Sequence, residues 1–216
     1  VIPRDPEELP PLPLNEERIL KALAAGEVEY ILIGGGALLV SGIGSRQTYD
    51  LDLVPHGVTD NLDRLGEVLM ELDARIVTLW DAEHGELHAE AAPLDAEVFN
   101  RNPTLHLVTA EGRVDVLLRA PEIQADFMEL AQTADAVPYR GIDVAVASIP
   151  DLIRMKEAAG RPKDLEDLVG LRASLAAPEV APRAVRPPAA RRRQAARHRE
   201  DEARRRDSRR DRGIQR

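Results

Sequence analysis

The sequence contains no cysteine, which excludes a disulfide framework, a thiolate metal site and a cysteine nucleophile. A chain without thiols fits a reducing compartment. Aromatic residues are nearly as scarce, with one Trp, three Tyr and two Phe in 216 residues. That argues against the stacking platforms on which single-stranded nucleic acids are held. Long apolar runs are missing as well. Tyr30–Ile33 and Ala37–Val40 fall far short of the roughly 20 residues a membrane span requires. The first residues are proline-rich and acidic (Pro3, Asp5, Glu7, Glu8) and hold no apolar signal core, so the sequence predicts a cytoplasmic protein with no membrane partner. Lysine occurs only at Lys21, Lys156 and Lys163.

What is present divides unevenly. The length suits one domain, or one domain with an appendage, and is enough for a sizeable core. The formal net charge of −9 hides an asymmetry: residues 178–216 hold 14 Arg and 6 acids, a net of +8, which leaves −17 on the remainder. An acidic body of that kind meets polyanions only through a local basic patch or bridging metal ions. Beyond Ala177 come Pro178, Pro182, Pro187 and Pro188, then Arg191-Arg192-Arg193 and a mixed Arg/Asp/Glu stretch. Aliphatic residues nearly vanish there, so the tail is expected to stay disordered. It reads either as a basic arm for nucleic acid or as a solvated extension, and the interrupting acids favour the second. The organisation predicted is an extension over 1–14, a folded domain over 15–177 and an Arg-rich tail over 178–216.

Within the body, helix-like and strand-like segments alternate. Asn15 can cap a helix over 15–25 whose stripe is Ile19, Leu20, Leu23 and Ala24. Val28–Ile33 reads as a buried strand that runs into Gly34-Gly35-Gly36, with a short helix over Ala37–Val40 behind it. Thr48–Val54 alternates acids and aliphatics, as a strand with one polar face does. Thr59 is placed to cap a helix through Leu72. Over 75–112, strands are expected at Ile76–Leu79 and Leu105–Val108 with loop between them. Val114–Leu118 is a strand that carries Asp115, 123–132 is helix-like, and Val137–Tyr139 and Ile142–Ala147 are short strands. Ser148 or Asp151 starts a helix, Gly160-Arg161-Pro162 breaks it, and a last helix over 163–175 turns Leu165, Leu168 and Leu171 inward.

The chemistry concentrates in Ile31-Leu-Ile-Gly-Gly-Gly-Ala37 and Ser45-Arg-Gln-Thr-Tyr-Asp-Leu-Asp-Leu53. A strand opening through glycines into a helix lets bare backbone approach phosphate oxygens. Thirteen residues separate Gly36 from Asp50. Asp50 and Asp52, at i and i+2 on a strand, project from one face. Asp115, on a second strand, would complete a hard-oxygen set suited to Mg²⁺ or Mn²⁺. Two such ions can bridge a triphosphate and its leaving pyrophosphate. The segment lacks the Lys-Ser/Thr ending of a P-loop and the glycine spacing of a dinucleotide fingerprint.

Gly35-Gly36, Asp50-Leu-Asp52 and Asp115 match, in order and type, the signature of the DNA polymerase β-like nucleotidyltransferase superfamily, which the chain resembles. The Gly-to-Asp spacing is at the long end, and Gly36 replaces a frequent Ser. The segments Ser148-Ile-Pro-Asp-Leu-Ile-Arg-Met-Lys156 and Ala158-Ala-Gly-Arg-Pro-Lys-Asp-Leu-Glu-Asp-Leu168 look like the C-terminal helices of small bacterial members, including AbiEii/MenT-type toxins. The resemblance covers about residues 28–172. It implies an α/β (α+β) fold, a small mixed β-sheet flanked by helices. It also implies a nucleoside triphosphate substrate with Mg²⁺ or Mn²⁺ on Asp50, Asp52 and Asp115, and nucleotidyl transfer to an acceptor hydroxyl. A tRNA 3′ end and a small antibiotic-type molecule are the acceptors it leaves open, the toxin-like segment favouring RNA. With it comes a cognate antitoxin as a possible partner.

Cations near a triphosphate are also needed. Lys156, with Arg161 and Lys163 close behind, is the leading candidate, and Arg46, four residues before Asp50, is another; Gly34, Gly35 and Gly36 complete the nucleotide-binding set. The alternative for each cation is an ordinary pair with a neighbouring acid such as Asp164. His84 and His88 would form an i,i+4 metal pair only in a helix, which Gly85 and Pro93 argue against. Ser41 and Ser45 lack His/Asp companions for an acyl-transfer triad. A different class of function also fits the pattern, a nucleotide-binding or interaction module without turnover, although all three acidic positions are filled. The geometric discriminator is whether Asp115 shares a face with Asp50 and Asp52.

Overall fold

The chain is described by a computed structural model over residues 12–43, 47–81 and 83–176. The expectations for Ser45, Arg46, most of the N-terminal extension and the Arg-rich tail fall outside those residues. Eight strands form one mixed sheet in the order β4-β3-β5-β6-β2-β1-β8-β7. They are β1 (Tyr30–Ile33), β2 (Asp50–Pro55), β3 (Arg75–Asp81), β4 (Glu86–Glu90), β5 (Thr104–Thr109), β6 (Gly112–Leu117), β7 (Asp135–Tyr139) and β8 (Ile142–Val146). The helices are α1 (Glu16–Ala25), α2 (Gly34–Val40), α3 (Thr59–Glu71), α4 (Ala96–Arg101), α5 (Phe127–Leu130), α6 (Ile149–Ala159) and α7 (Pro162–Ala176). A mixed α/β fold is therefore the outcome, as the resemblance implied.

The central strands carry the site. β1 and β2 pair antiparallel, β2 and β6 pair parallel, and β1 and β8 pair parallel. β1 is buried at every residue (Tyr30, Ile31, Leu32, Ile33), as expected for an interior strand of a covered sheet. β2 alternates instead: Leu51 and Leu53 are fully buried, whereas Asp50 and Asp52 keep some exposure on the other face. Helices flank this core. α2 packs on β1 and β2, α1 on α3 and β8, and α6 on α7.

Local signals explain most boundaries. The Asn15 side chain accepts from the backbone N–H of Arg18 and caps α1. Asn15 also holds Glu111 in the β5–β6 turn through its backbone N–H and its amide. Ile19, Leu20 and Leu23 are fully buried, but Ala24 faces solvent. Ser148 caps α6, and Gly160, in the left-handed region at φ 64°, ends it before Pro162 opens α7.

Several expectations change. Thr59 lies inside α3; Val58 precedes it and makes no side-chain cap. The stretch between β3 and β5 is not all loop, because β4 pairs with β3 and α4 is capped by Asp95. Glu86–Glu90 offers only Leu87 and Ala89, both half-buried, as an apolar face, and pairing with β3 makes it a strand. The helix expected over 123–132 shrinks to one turn. Gln124 at φ 54° and the Ala120–Ala125 bridge hold its front half in a loop, and an Asp126/Glu129 capping box starts α5 late. On α7, Leu168 and Leu171 pack inward, but Leu165 is 60% exposed.

One buried polar residue locks the strands that hold the site. Asn61, fully buried near the start of α3, accepts from Glu29 N–H and donates to the carbonyls of Glu29 and His56 at 2.8–2.9 Å. These groups lie at the outer ends of β1 and β2, so the bonds hold the two strands in register. Asn61→Ala would strand the Glu29 N–H and the His56 carbonyl, each costly to bury unpaired, whereas the Glu29 carbonyl keeps the His56 N–H. We expect a loss of about 2–4 kcal/mol in denaturant unfolding, several times that of an exposed control such as Asp60→Ala.

Candidate functional site

Register decides which side chains meet. Asp52 is the direct partner of Asp115 across the parallel β2–β6 ladder, and Asp50 is the partner of Arg113. His106 on β5 is the antiparallel partner of Asp115. Directly paired residues of adjacent strands point to one side of a sheet, and i,i+2 residues do the same along a strand. Asp50, Asp52, Asp115, Arg113 and His106 therefore share one face. Asp115 is on the face of the other two carboxylates, not the far one.

The cluster is electrostatically strained. Burial raises the Asp52 carboxyl well above the usual carboxylate range. The charges of Asp50 and Asp115, and more weakly Glu122, push the same way, while Lys156 opposes them. Asp115 is 1% exposed, and both of its oxygens are buried without a hydrogen-bond partner. Nδ1 of His106 stands 3.0 Å from Asp115 Oδ1 but off the line of a good hydrogen bond, so the contact is one of charge. Proximity to Asp115 raises the His106 pKa against the opposing effects of burial and of Arg113. Arg113, 2% exposed, donates from Nη2 to Asp50 Oδ2 at 2.8 Å.

Arg113 and His106 were not singled out from the sequence. The signal for Arg113 was present, since it sits at i−2 from Asp115 on a strand already identified. His106 needed the β5–β6 register, which no local pattern encodes.

The three glycines play different parts. α2 begins at Gly34 itself, so the glycines form the first helical turn rather than a separate loop. Gly34 has φ 66°, and a Cβ there would stand 1.8 Å from Asp52 Oδ2. That close approach requires glycine. A Cβ on Gly36 would lie 2.6 Å from Leu51 Cδ2, so this glycine lets α2 pack on β2. Gly36 is buried, whereas Gly35 is partly exposed beside Gly34.

The cations behind the site are engaged. Lys156 is 5% exposed, and its Nζ donates to Asp164 Oδ1 at 2.8 Å and pairs with Asp167 Oδ2 at 2.9 Å. Arg161 Nε donates to Asp164 Oδ2 at 2.7 Å. Burial would raise the Asp164 carboxyl, but the hydrogen bonds from Arg161 and Lys156 outweigh it and hold it at about 2. The network ties α6 to α7, and Lys156 still acts on Asp52 through its field. Lys163 stands in the first turn of α7. His84 and His88 are not a helical pair: His84 lies in the turn of the β3–β4 hairpin against Asp81, and His88 is on β4.

The donor set suits a hard divalent cation. All three acids offer carboxylate oxygens, and those of Asp115 are buried with only the off-line His106 contact beside them. Among the described residues, no group of three or more acids and histidines is already arranged around one ion position. A groove of about 690 Å³ opens at the C-terminal ends of β2 and β6, walled in part by His56, Thr104, Arg119 and Phe127; it is lined by none of the three carboxylates and lies at the strand ends away from Gly34. His56 stacks on Phe127 with ring centroids 4.6 Å apart, and its Nδ1 is 2.7 Å from Glu29. Among the described residues no helix is long and apolar enough to cross a membrane.

The raised Asp52 pKa has a signed consequence. A carboxyl whose pKa is higher folded than unfolded costs stability once pH exceeds the unfolded value near 4, and the full cost is present above the folded pKa. With a chelator present, Asp52→Asn should raise the melting temperature at pH 7, by roughly 2–4 °C per kcal/mol of relieved repulsion. The gain should vanish as pH falls to about 4. A melting temperature that is unchanged or lowered at pH 7 would contradict the repulsion.

No curated protein matches the chain. Among solved structures, a Thermotoga maritima protein described as a nucleotidyltransferase is similar at 14% identity and a TM-score of 0.43, over 74% of this chain and 89% of that one. The antibiotic-resistance factor ANT(2'')-Ia is similar at 16% identity and a TM-score of 0.48, over 74% and 82%. The family described as nucleotidyltransferase of unknown function, DUF6036, matches residues 16–177, from the start of α1 to just past the end of α7. A match over that much of the chain makes this protein a member of the DUF6036 family of nucleotidyltransferases.

Proposed function

We propose that the protein moves a nucleotidyl group from a nucleoside triphosphate to an acceptor hydroxyl, with Asp50, Asp52 and Asp115 as the catalytic, metal-holding carboxylates. The observation that carries this reading is the Asp52–Asp115 pairing on one face, with the Asp115 oxygens buried and unpartnered. Mg²⁺ or Mn²⁺ held there would supply charge stabilisation at the transferring phosphate. The Gly34–Gly36 turn lies beside Asp52 and offers bare backbone to the phosphates. Arg46, Lys156, Arg161 and Lys163 are the cations proposed toward the triphosphate, Lys156 acting by its field from within its buried pairs. In the transfer, the acceptor oxygen bonds to the α-phosphorus and the bond from that phosphorus to the bridging oxygen breaks. Pyrophosphate leaves, and an Asp115 oxygen takes the acceptor's proton.

For the acceptor, we favour a tRNA 3′ end, in a cytoplasmic toxin of AbiEii/MenT type with a cognate antitoxin. The toxin-like α6–α7 segment and the +8 tail support this choice. The domain would span 15–177, with 178–216 as an arm for encounter. A small antibiotic-type molecule is the alternative acceptor, because the carboxylates and the glycine turn do not by themselves select one.

Incubation with each labelled triphosphate, Mg²⁺ and either total tRNA or an aminoglycoside panel separates these readings. We expect Asp52→Asn and Asp115→Asn to cut transfer by at least about a hundredfold while the fold is kept. Full activity in either variant would overturn the assignment, and a folded wild-type chain that transfers to nothing would favour the silent module. For an RNA acceptor, deleting 178–216 should raise KM most at low salt and leave kcat nearly intact. For a small acceptor neither parameter should move. A fall in kcat alone would mean that the tail completes the site.

A further inference from the structure

Asp50 and Asp52 share a strand and a face, yet their surroundings differ. Both Asp50 oxygens are engaged: Oδ2 accepts from Arg113 Nη2 at 2.8 Å, and Oδ1 is 3.2 Å from the Thr48 hydroxyl. Among the described residues no hydrogen bond reaches the Asp52 carboxylate, and both Asp115 oxygens are buried without a partner. Arg113 is itself nearly sealed from solvent. A guanidinium keeps its proton, and a buried one resists losing its counter-ion. Drawing Asp50 away to an ion would leave that cation buried and unpaired. Asp52 has no hydrogen bond to give up on binding an ion, and Asp115 gives up only the off-line His106 contact.

We propose that the ion-holding unit of the nucleotide-free protein is the Asp52–Asp115 pair. Arg113 is a positioning residue that occupies Asp50, so the free protein takes one divalent ion rather than two. The inference rests on the metal-dependent reading above and narrows it. Asp50 becomes a ligand only when a triphosphate brings enough negative charge to satisfy Arg113 in its place.

The test is a Mn²⁺ titration of the full chain without nucleotide, in which electron paramagnetic resonance counts free ion. One Mn²⁺ per chain is expected. Asp52→Asn and Asp115→Asn should each weaken binding at least about tenfold, the scale on which losses around a metal site are felt. Asp50→Asn should shift it by less than about threefold. Arg113→Met should release Asp50 and admit a second ion, whereas Arg113→Lys, which keeps the charge, should hold the count at one. Circular dichroism checks each fold. If Arg113→Met does not fold, the comparison of Asp50→Asn with Asp52→Asn decides alone. Two ions in the wild type, or equal weakening by Asp50→Asn and Asp52→Asn, would overturn the division of labour and leave the metal reading standing. No Mn²⁺ bound by any variant would overturn both.

Discussion

Repulsion among three carboxylates on one sheet face is the constraint around which this molecule is arranged. Asp50, Asp52 and Asp115 meet because β2 and β6 run parallel and in register, and that pairing alone would be unfavourable. The cations nearby offset it in graded ways. Arg113 neutralises Asp50 by direct contact, His106 approaches Asp115, and Lys156 acts on Asp52 from a distance. What remains uncompensated lies between Asp52 and Asp115. A divalent ion held there, as proposed above, would relieve that remaining negative potential.

The scaffold holds this arrangement by restricting movement elsewhere. Gly34 lets the chain turn tightly against Asp52, and Gly36 lets α2 lie close on β2. Asn61 ties the ends of β1 and β2 with three hydrogen bonds, so a register slip that would turn Asp52 to the opposite face is opposed from the back of the sheet. The Lys156–Asp164–Asp167–Arg161 network braces α6 against α7. Its two lysine-bound acids explain why a lysine in an acidic chain is buried: the ammonium is held by charge of the opposite sign rather than kept open to solvent.

Membership of a nucleotidyltransferase family does not by itself choose an acceptor. A small molecule and a polyanion are the two acceptors left open, and the basic tail leans toward the second. Both are compatible with the same reacting centre, because specificity in such an enzyme belongs to the surfaces around the phosphate chemistry rather than to the chemistry itself.

Much was legible in the chain before any fold was known. The Asp-x-Asp alternation, the glycine run after an apolar strand, the Asn15 and Ser148 caps and the Gly160-Arg161-Pro162 break are local patterns, governed by backbone preferences and a two- or 3.6-residue period. The strand Glu86–Glu90, the late start of α5 and the outward turn of Leu165 were not, because pairing with β3, a bridge within a loop and packing between helices decided them. In the site, sequence by itself determined that three acids of the right kind existed and that two of them shared a face. Only tertiary structure decided that Asp115 joined them, that Arg113 took Asp50 and that Lys156 was claimed by Asp164 and Asp167. Those outcomes depend on contacts between segments far apart in the chain, and the energy of a charge is set by what surrounds it in space, not by its neighbours in sequence.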